Sequence, residues 1–463
     1  MDPKYEELLI FSKKLFSKWQ PEDFFSSKAN HIYYYGSITN EKTQMFKDLF
    51  LNFNKTNELS SGTKEQPKPI VIHLNSPGGD VRGMNIMDSI LFQARVPFCV
   101  VIEDLCASAS TQLALIAPYR IIIDYSFYLI HDSSGLKFGK TSNSIAFDSF
   151  ILDQAIRYKK LLKLRTKLTE EEIEECFQRD MLFNSKECLK KGIVDRILTF
   201  PKIKSYHIGK ENKGNMSLPI STLLKKTNLN VISINNENID SSFSEIISPL
   251  YNIGFMDVKN YETFVMALDS QVFHNPNPSQ LKTIILQLLP DYLFTDVLRH
   301  PLKNIGILFR LALCQKNGIP LISYMEGIQN LSSLTYMLMC PNRISLTPSY
   351  ISTLFAFRGN EFGWKFIDQI YNTNLMLNEI KRFFKTFSKL PEVFYKNLEK
   401  EIMNISPEDQ LKYEINHKIL DTRSIEINKK EILNYLKFNK ITLGDLVNKE
   451  RKNRIPEKIK NKK

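Results

Sequence analysis

Between residues 30 and 200, short apolar runs alternate with stretches of helical period, and this alternation restricts the fold more than any other property of the 463-residue chain. "HIYYYGSI" (31–38), "PIVIHLN" (69–75), "PFCVVIE" (97–103), 120–123 and 127–131 read as strands rich in β-branched and aromatic residues. Between them, "EKTQMFKDLFLNF" (41–53), "RGMNIMDSILFQA" (82–94) and 108–117 carry apolar residues at helical spacing, and a long helix is expected over 143–167. A shorter helix opens on "TEEE", with Thr169 and Glu172 at capping-box spacing, and another starts at "NSKECLKKG" and closes on Gly192. Strands that are apolar throughout, alternating with helices, mean an α/β domain whose sheet is covered on both faces.

A chain of this length exceeds what one hydrophobic core usually supports, so at least two domains are expected. Residues 1–29 read as an N-terminal extension, 30–204 as the α/β domain, 205–230 as a polar Asn/Lys-rich linker, 231–425 as a second domain and 426–463 as a basic tail. The second domain looks like a decayed copy of the first. Sliding the chain by 223 residues lays 101–131 on 324–354 without a gap, matching Glu103 with Glu326, Pro118 with Pro341, Arg120 with Arg343 and Ser126 with Ser349; upstream, Gly83 meets Gly306.

The formal net charge of +12 gains weight as a nucleic-acid signal only if it is concentrated on a folded surface. Much of it lies in the last stretch, "NKERKNRIPEKIKNKK", which reads as a solubilising tail, so no specific nucleic-acid partner is expected. The six cysteines are scattered, without a C-x-x-C pair, as buried thiols of a reducing compartment would be. Neither a signal core at the start nor an apolar run of spanning length is present, so the expectation is a soluble intracellular protein, cytoplasmic or in the plastid stroma if organelle-encoded. No cofactor is expected. The nucleotide-binding pattern G-x-x-x-x-G-K-[ST] does not occur, so any ATP use falls to a partner.

Two stretches carry chemistry. In "HLNSPGGDVRG" (73–83) a strand ends against Pro77, and Gly78 and Gly79 permit a bare backbone to approach a ligand closely. In "VIEDLCASASTQLALI" (101–116) an apolar run breaks into Ser108 and Ser110 at a strand-to-helix turn, either of which is a candidate nucleophile. Together with "LIH" (129–131) and "QRD" (178–180), these stretches resemble the Clp protease proteolytic subunit family. The resemblance implies a Clp/crotonase-type domain of repeated ββα units, here present twice in tandem.

In that family the second glycine of SPGG precedes the nucleophile by 29 residues, which selects Ser108 from Gly79 and sets Ser110 where the family usually has glycine. The backbone N–H groups of Gly79 and Ala109 would then form the oxyanion hole, next to a helix N-terminus that favours developing negative charge. His131, in the place of the family's "MIH", is the implied base, although the interval from the nucleophile is 23 residues rather than 25, and Asp132-Ser133 replace the family's Gln-Pro. Asp180 is the implied third member that orients the imidazole; Asp195, the nearest competitor, matches a structural position.

The resemblance further implies polypeptide substrates, ring-shaped homo- or hetero-oligomers stacked through the 143–167 helix, and an AAA+ unfoldase partner. Along that helix, Ile145, Phe147, Phe150, Ile151, Ile156 and Leu161 form an apolar stripe suited to core or to ring packing. In the second domain Leu331 and Leu354 replace Ser108 and His131, and "RHPL" replaces SPGG, while Glu401 alone aligns near Asp180. The alternative there is that Ser332 or Ser333 is a second nucleophile whose base the sequence does not identify. A catalytically silent copy is therefore expected, serving assembly, gating or substrate contact.

Three other readings stand beside the serine endopeptidase: an inactive structural ring subunit, an acyl-CoA hydratase or isomerase of crotonase type, and a tandem signal-peptide peptidase. The triad argues against the crotonase reading. The absence of a serine–lysine pair and an anchor argues against the last.

Overall fold

The computed structural model describes residues 3–59, 68–132, 141–202, 230–234, 265, 268–269, 284–288, 302, 304–317, 321–352, 366–398, 403–416 and 418–421. The basic tail, the linker up to its last residue, and positions 354 and 401 lie outside them.

The N-terminal half contains α1 (Pro3–Phe16), a 3₁₀ turn (Pro21–Phe25), β1 (Asn30–Tyr35), α2 (Asn40–Leu59), β2 (Ile70–Ser76), α3 (Val81–Leu91), β3 (Phe98–Ala107) and α4 (Ala109–Ile116). It continues through β4 (Tyr119–Ile123), β5 (Phe127–Ile130), α5 (Thr141–Arg165), α6 (Glu170–Gln178), β6 (Met181–Asn184), α7 (Ser185–Lys190) and β7 (Arg196–Leu198). The strands form a parallel sheet in the order β1-β2-β3-β4-β7, with β5 parallel to the far end of β3 and β6 antiparallel to β5.

The third strand runs past Glu103, where the apolar pattern stops, to Ala107. Asp104 accounts for the difference. Its φ of 62° bends the strand, so that Cys99–Ile102 pair with β4 and Leu105–Ala107 pair with β5. The sheet thereby splits, and the β3 C-terminus enters a second layer made by β5 and β6.

Pleat alternation gives the main sheet two apolar faces. Ile70, Ile72, Leu74, Val100, Ile102 and Ile122 point to one side, where Phe46 and Phe50 of α2, Met84 and Met87 of α3 and Leu113 of α4 cover them. Val71, Cys99, Val101, Ile121 and Ile123 point to the other. The N-terminal extension supplies part of that second cover, since Phe16, Phe24 and Phe25 are fully buried in it.

The rest of the cover comes from the C-terminal half. That half contains β8 (Asn230–Ile234), β9 (Ile284–Leu288), α8 (Ile305–Lys316), β10 (Leu321–Gln329), α9 (Leu331–Leu338), β11 (Asn342–Ser352), α10 (Phe366–Phe387), α11 (Glu392–Asn397), β12 (Asn404–Ile405), α12 (Pro407–Lys412) and β13 (Lys418–Asp421). Its sheet order is β8-β9-β10-β11-β12, with β13 parallel to β11. Ile305, Leu308, Phe309 and Ala312 of α8 and Ile380, Phe383 and Phe384 of α10 lie in the same apolar cluster as the second face of the first sheet. One core therefore runs through both halves.

A buried polar cluster crosses that core. Arg310 of α8, fully buried, donates a two-pronged pair of hydrogen bonds to Glu103 of β3 at 2.8 and 3.0 Å, and its Nε donates to Asp269 at 2.9 Å. Tyr35 and His73 reach the same Glu103 carboxylate, and Tyr33 reaches Asp269. The bent residue Asp104 accepts the Gly306 N–H in the first turn of α8 at 3.0 Å, tying the sheet to a helix N-terminus.

The long helix α5 buries Gln154, Tyr158 and Leu162, while Leu152 and Ile156 remain exposed. Phe150, Ile151 and Leu161 are half-buried; the side chains of Ile145 and Phe147 lie outside those described. Among the described residues no helix is long and apolar enough to cross a membrane, and all six cysteines are buried and unbridged.

Candidate active site

Ser108 stands between β3 and α4 with φ 57° and ψ −130°, a conformation that L-residues rarely adopt. Such backbone costs roughly 1–3 kcal/mol and persists only where the surroundings enforce it. Here the Ser108 N–H donates to Leu129 O (3.1 Å), and its carbonyl accepts from Thr111 N–H (3.0 Å). The result is a sharp strand-to-helix elbow that lifts the side chain clear of the sheet.

The two glycines fit against this elbow. A Cβ on Gly78 would lie 2.6 Å from Ser108 Cβ, 2.7 Å from Ala107 O and 2.9 Å from Ala109 N, and its φ is +93°. Gly79 (φ +142°) is pressed against Ile38, whose N–H donates to Gly78 O and whose carbonyl accepts from Asp80 N–H. The N–H groups of Gly79 and Ala109 donate to no other described residue. Two backbone donors thus remain available beside a hydroxyl at a helix start, an arrangement that stabilises an oxyanion.

Ser110 has a different environment. It is fully buried; its Oγ accepts from Ala107 N–H (3.0 Å) and lies within hydrogen-bond reach of Ser76 O (2.9 Å) and Ala107 O (2.7 Å). A hydroxyl with its donor and acceptors so engaged holds the turn together. Cys106 is no competitor either, because burial pushes its thiol up to about 12.

Register brings the other two residues alongside. The β3–β5 pairing ends with Ala107 opposite Leu129, and the β5–β6 pairing ends with Ile130 opposite Met181. Ser108, His131 and Asp180 each stand at the end of one of three adjacent strands. His131 Nδ1 lies 3.6 Å from Asp180 Oδ1, with both side chains about one-fifth exposed. His131 Nε2 is buried and has no hydrogen-bond partner among the described residues, so the serine–histidine contact is not closed in this structure. Asp195 is held elsewhere: Arg120 binds it through Nε (3.1 Å), NH2 (3.2 Å) and its own N–H (2.9 Å).

A family model described as Clp protease matches residues 28–200. Over 154 residues the chain is 30% identical to the ATP-dependent Clp protease proteolytic subunit of Streptococcus mutans, covering 30% of this chain and 74% of that protein. The counterpart from Leuconostoc citreum is 30% identical over 149 residues, with 29% of this chain and 70% of that protein covered. The chain belongs to the Clp protease proteolytic subunit family.

Subunit 2 of Treponema denticola adds 32% identity over 134 residues, covering 28% of this chain and 66% of that protein. The family model ends at residue 200, two residues past β7, so the whole C-terminal half is outside it. Two features of the site region gave no local signal in the sequence. Asn372 of α10, 192 residues from Asp180, bonds the backbone on both sides of Met181, and Met376 of α10 packs against Ala107, Leu129 and Leu182. Among the described residues no group of three or more His, Cys, Asp or Glu side chains is placed to hold a metal ion.

Proposed function

We propose that the N-terminal half is a serine endopeptidase in which Ser108 attacks the peptide carbonyl. His131 takes the serine proton and returns it to the leaving amine, while Asp180 orients the imidazole and stabilises its charged form. The N–H groups of Gly79 and Ala109 receive the oxyanion, each worth about 3–4 kcal/mol in such a role. The observation that carries this reading is the strand register, which sets the ends of β3, β5 and β6 side by side with a strained serine on the first of them. The open contact at His131 Nε2 fits a resting state, because catalytic hydrogen bonds often tighten only when substrate is bound.

The same open contact favours a second reading, an inactive structural subunit of a Clp-type ring. A fluorophosphonate probe separates the two: the full chain should be labelled and Ser108→Ala should not. Absence of labelling in the unmutated chain under conditions that support folding would leave only the structural reading.

We further read the C-terminal half as a degenerate copy of the first. In support, β3, α4 and α5 shifted by 223 residues fall within one or two residues of β10, α9 and α10, and the strand order β8-β9-β10-β11-β13 parallels β1-β2-β3-β4-β7. The elbow has no counterpart, because Asn330 before α9 has φ −105° and caps Ser333 N–H. Ser332 and Ser333 sit inside that helix, without the strained presentation seen at Ser108. Assembly into rings and delivery of substrate by an AAA+ ATPase complete the proposal; the exposed Leu152 and Ile156 on α5 suit a packing surface between subunits.

A further inference from the structure

The strand that leads out of Asp180 has one edge paired with β5 and the other turned to the C-terminal half. On that second edge the Asp180 carbonyl and the Leu182 N–H project side by side, as i and i+2 groups of a strand do. A neighbouring strand would satisfy both. Here one carboxamide does it: Asn372 Nδ2 donates to Asp180 O at 2.9 Å, and Asn372 Oδ1 accepts from Leu182 N–H at 3.3 Å. Asn372 is fully buried, so water has no access to replace it.

The rest of α10 follows the same line. One helical turn on, Met376 packs with Ala107, Leu129 and Leu182, residues next to or near each presumed triad position. Glu379 accepts from Asn184 Nδ2 at 3.2 Å, and Arg382 binds both oxygens of Asp124 at 2.8 and 2.9 Å. Residues 372, 376, 379 and 382 recur at the spacing of one helix face. The helix therefore lies along β6 and fixes it at the strand start.

We propose that the C-terminal half acts on catalysis through Asn372, a positioning residue that holds the backbone at Asp180 and thereby sets its carboxylate against His131. The inference rests on the triad reading above. It gives the catalytically silent half a chemical consequence, because Asp180 stands at the first point where α10 grips the strand. The separation of 3.6 Å between His131 Nδ1 and Asp180 Oδ1 leaves little room for drift before the pair is lost.

The test compares the full chain with Asn372→Ala, which removes both bonds, and with the near-isosteric Asn372→Asp, which keeps an acceptor for Leu182 N–H but sets a carboxylate against the Asp180 carbonyl. Turnover of a short fluorogenic peptide is followed, together with the rate of fluorophosphonate labelling. Both variants should lose about 10- to 100-fold in kcat, the scale of a misplaced catalytic group, with KM changed less than about twofold. The rate of fluorophosphonate labelling should fall in step with kcat, because it reports the same activated hydroxyl. General loosening of the fold would instead lower the fraction of chains that can be labelled, with kcat per labelled site unchanged. If the alanine variant does not fold, the aspartate variant decides alone. Labelling and turnover within twofold of the parent would overturn the inference. A parent chain that is neither labelled nor active would instead bring down the Ser108 reading, and this inference with it.

Discussion

Replacing Arg310 by Met should cost more stability than any other single change in the seam between the halves. The guanidinium is fully buried and gives three of its hydrogen bonds to carboxylates, two to Glu103 and one to Asp269, both carboxylates being buried themselves. Methionine preserves most of the volume and leaves two buried negative charges without their cation. Removing one partner of a buried ion pair typically costs about 3–5 kcal/mol. A second route gives a similar size. Burial alone would raise the Glu103 pKa, but Arg310 first and His73 next outweigh it and bring it from its ordinary 4.5 to about 2. A difference of that size corresponds to roughly 3 kcal/mol of folding free energy at neutral pH.

The sign with pH is then determined. A carboxylate held below its unfolded pKa stabilises the fold above about 4.5, and that contribution drains away as pH falls through the folded value near 2. In Arg310→Met the buried Glu103 carboxylate, without its cation, recovers by taking up a proton, so the deficit against the parent should shrink between pH 7 and pH 4. Urea unfolding at both pH values is the assay. The double variant Arg310→Met/Glu103→Gln should be less damaging than the two single effects added together. A loss under 1 kcal/mol at pH 7, or a deficit that does not change with pH, would refute the assignment of this cluster as an ion-paired staple.

Two further outcomes follow from the site and its surroundings. Gly78→Ala places a Cβ 2.6 Å from Ser108 Cβ at a φ of +93°, so peptide turnover should fall at least about 100-fold while the circular dichroism of the sheet persists; near-normal turnover would mean the elbow is not held by this glycine. Burial raises the Asp88 carboxyl from 3.8 to about 8, one of its oxygens having no partner, so the native state keeps a proton that the unfolded chain releases above 3.8, and stability falls as pH rises from about 4 to 8 and levels off above; Asp88→Asn should raise the melting temperature at pH 9 and much less at pH 4.

What the sequence made legible was local. Strand and helix periods found β1 to β5 and α2 to α7 but gave neither β6 nor β7, and the box at Thr169 and Glu172 is formed with both of its hydrogen bonds. The spacing from Gly79 to Ser108 took its meaning from the resemblance to the Clp family and not from any local pattern. The continuation of β3 past Glu103 was not readable, since it turns on one aspartate in a left-handed conformation, and no periodicity encodes that. The N-terminal extension read as separate from the domain, yet Phe16, Phe24 and Phe25 are part of the core; a single aromatic pair at "DFF" was the only hint.

Longer-range features escaped for the same reason in stronger form. Glu103 and Arg310 are 207 positions apart, and Asn372 reaches a backbone 192 positions away. An isolated Arg in an apolar helix, as in "IGILFRLALC", does signal a buried cation, but the sequence does not say which carboxylate it meets. An asparagine that bonds only main-chain atoms leaves no trace at the position it supports.

The shared core has a consequence for biosynthesis. Once β7 has left the ribosome the first sheet is complete, but the part of its apolar cover that α8 and α10 supply is still untranslated. Roughly 190 residues separate the end of β7 from the end of α10, or ~10–40 s of elongation at ~5–20 residues per second. For that interval a nascent chain carries one partly uncovered apolar face into a crowded solution, long enough for a holding chaperone to bind and for an unprotected chain to aggregate.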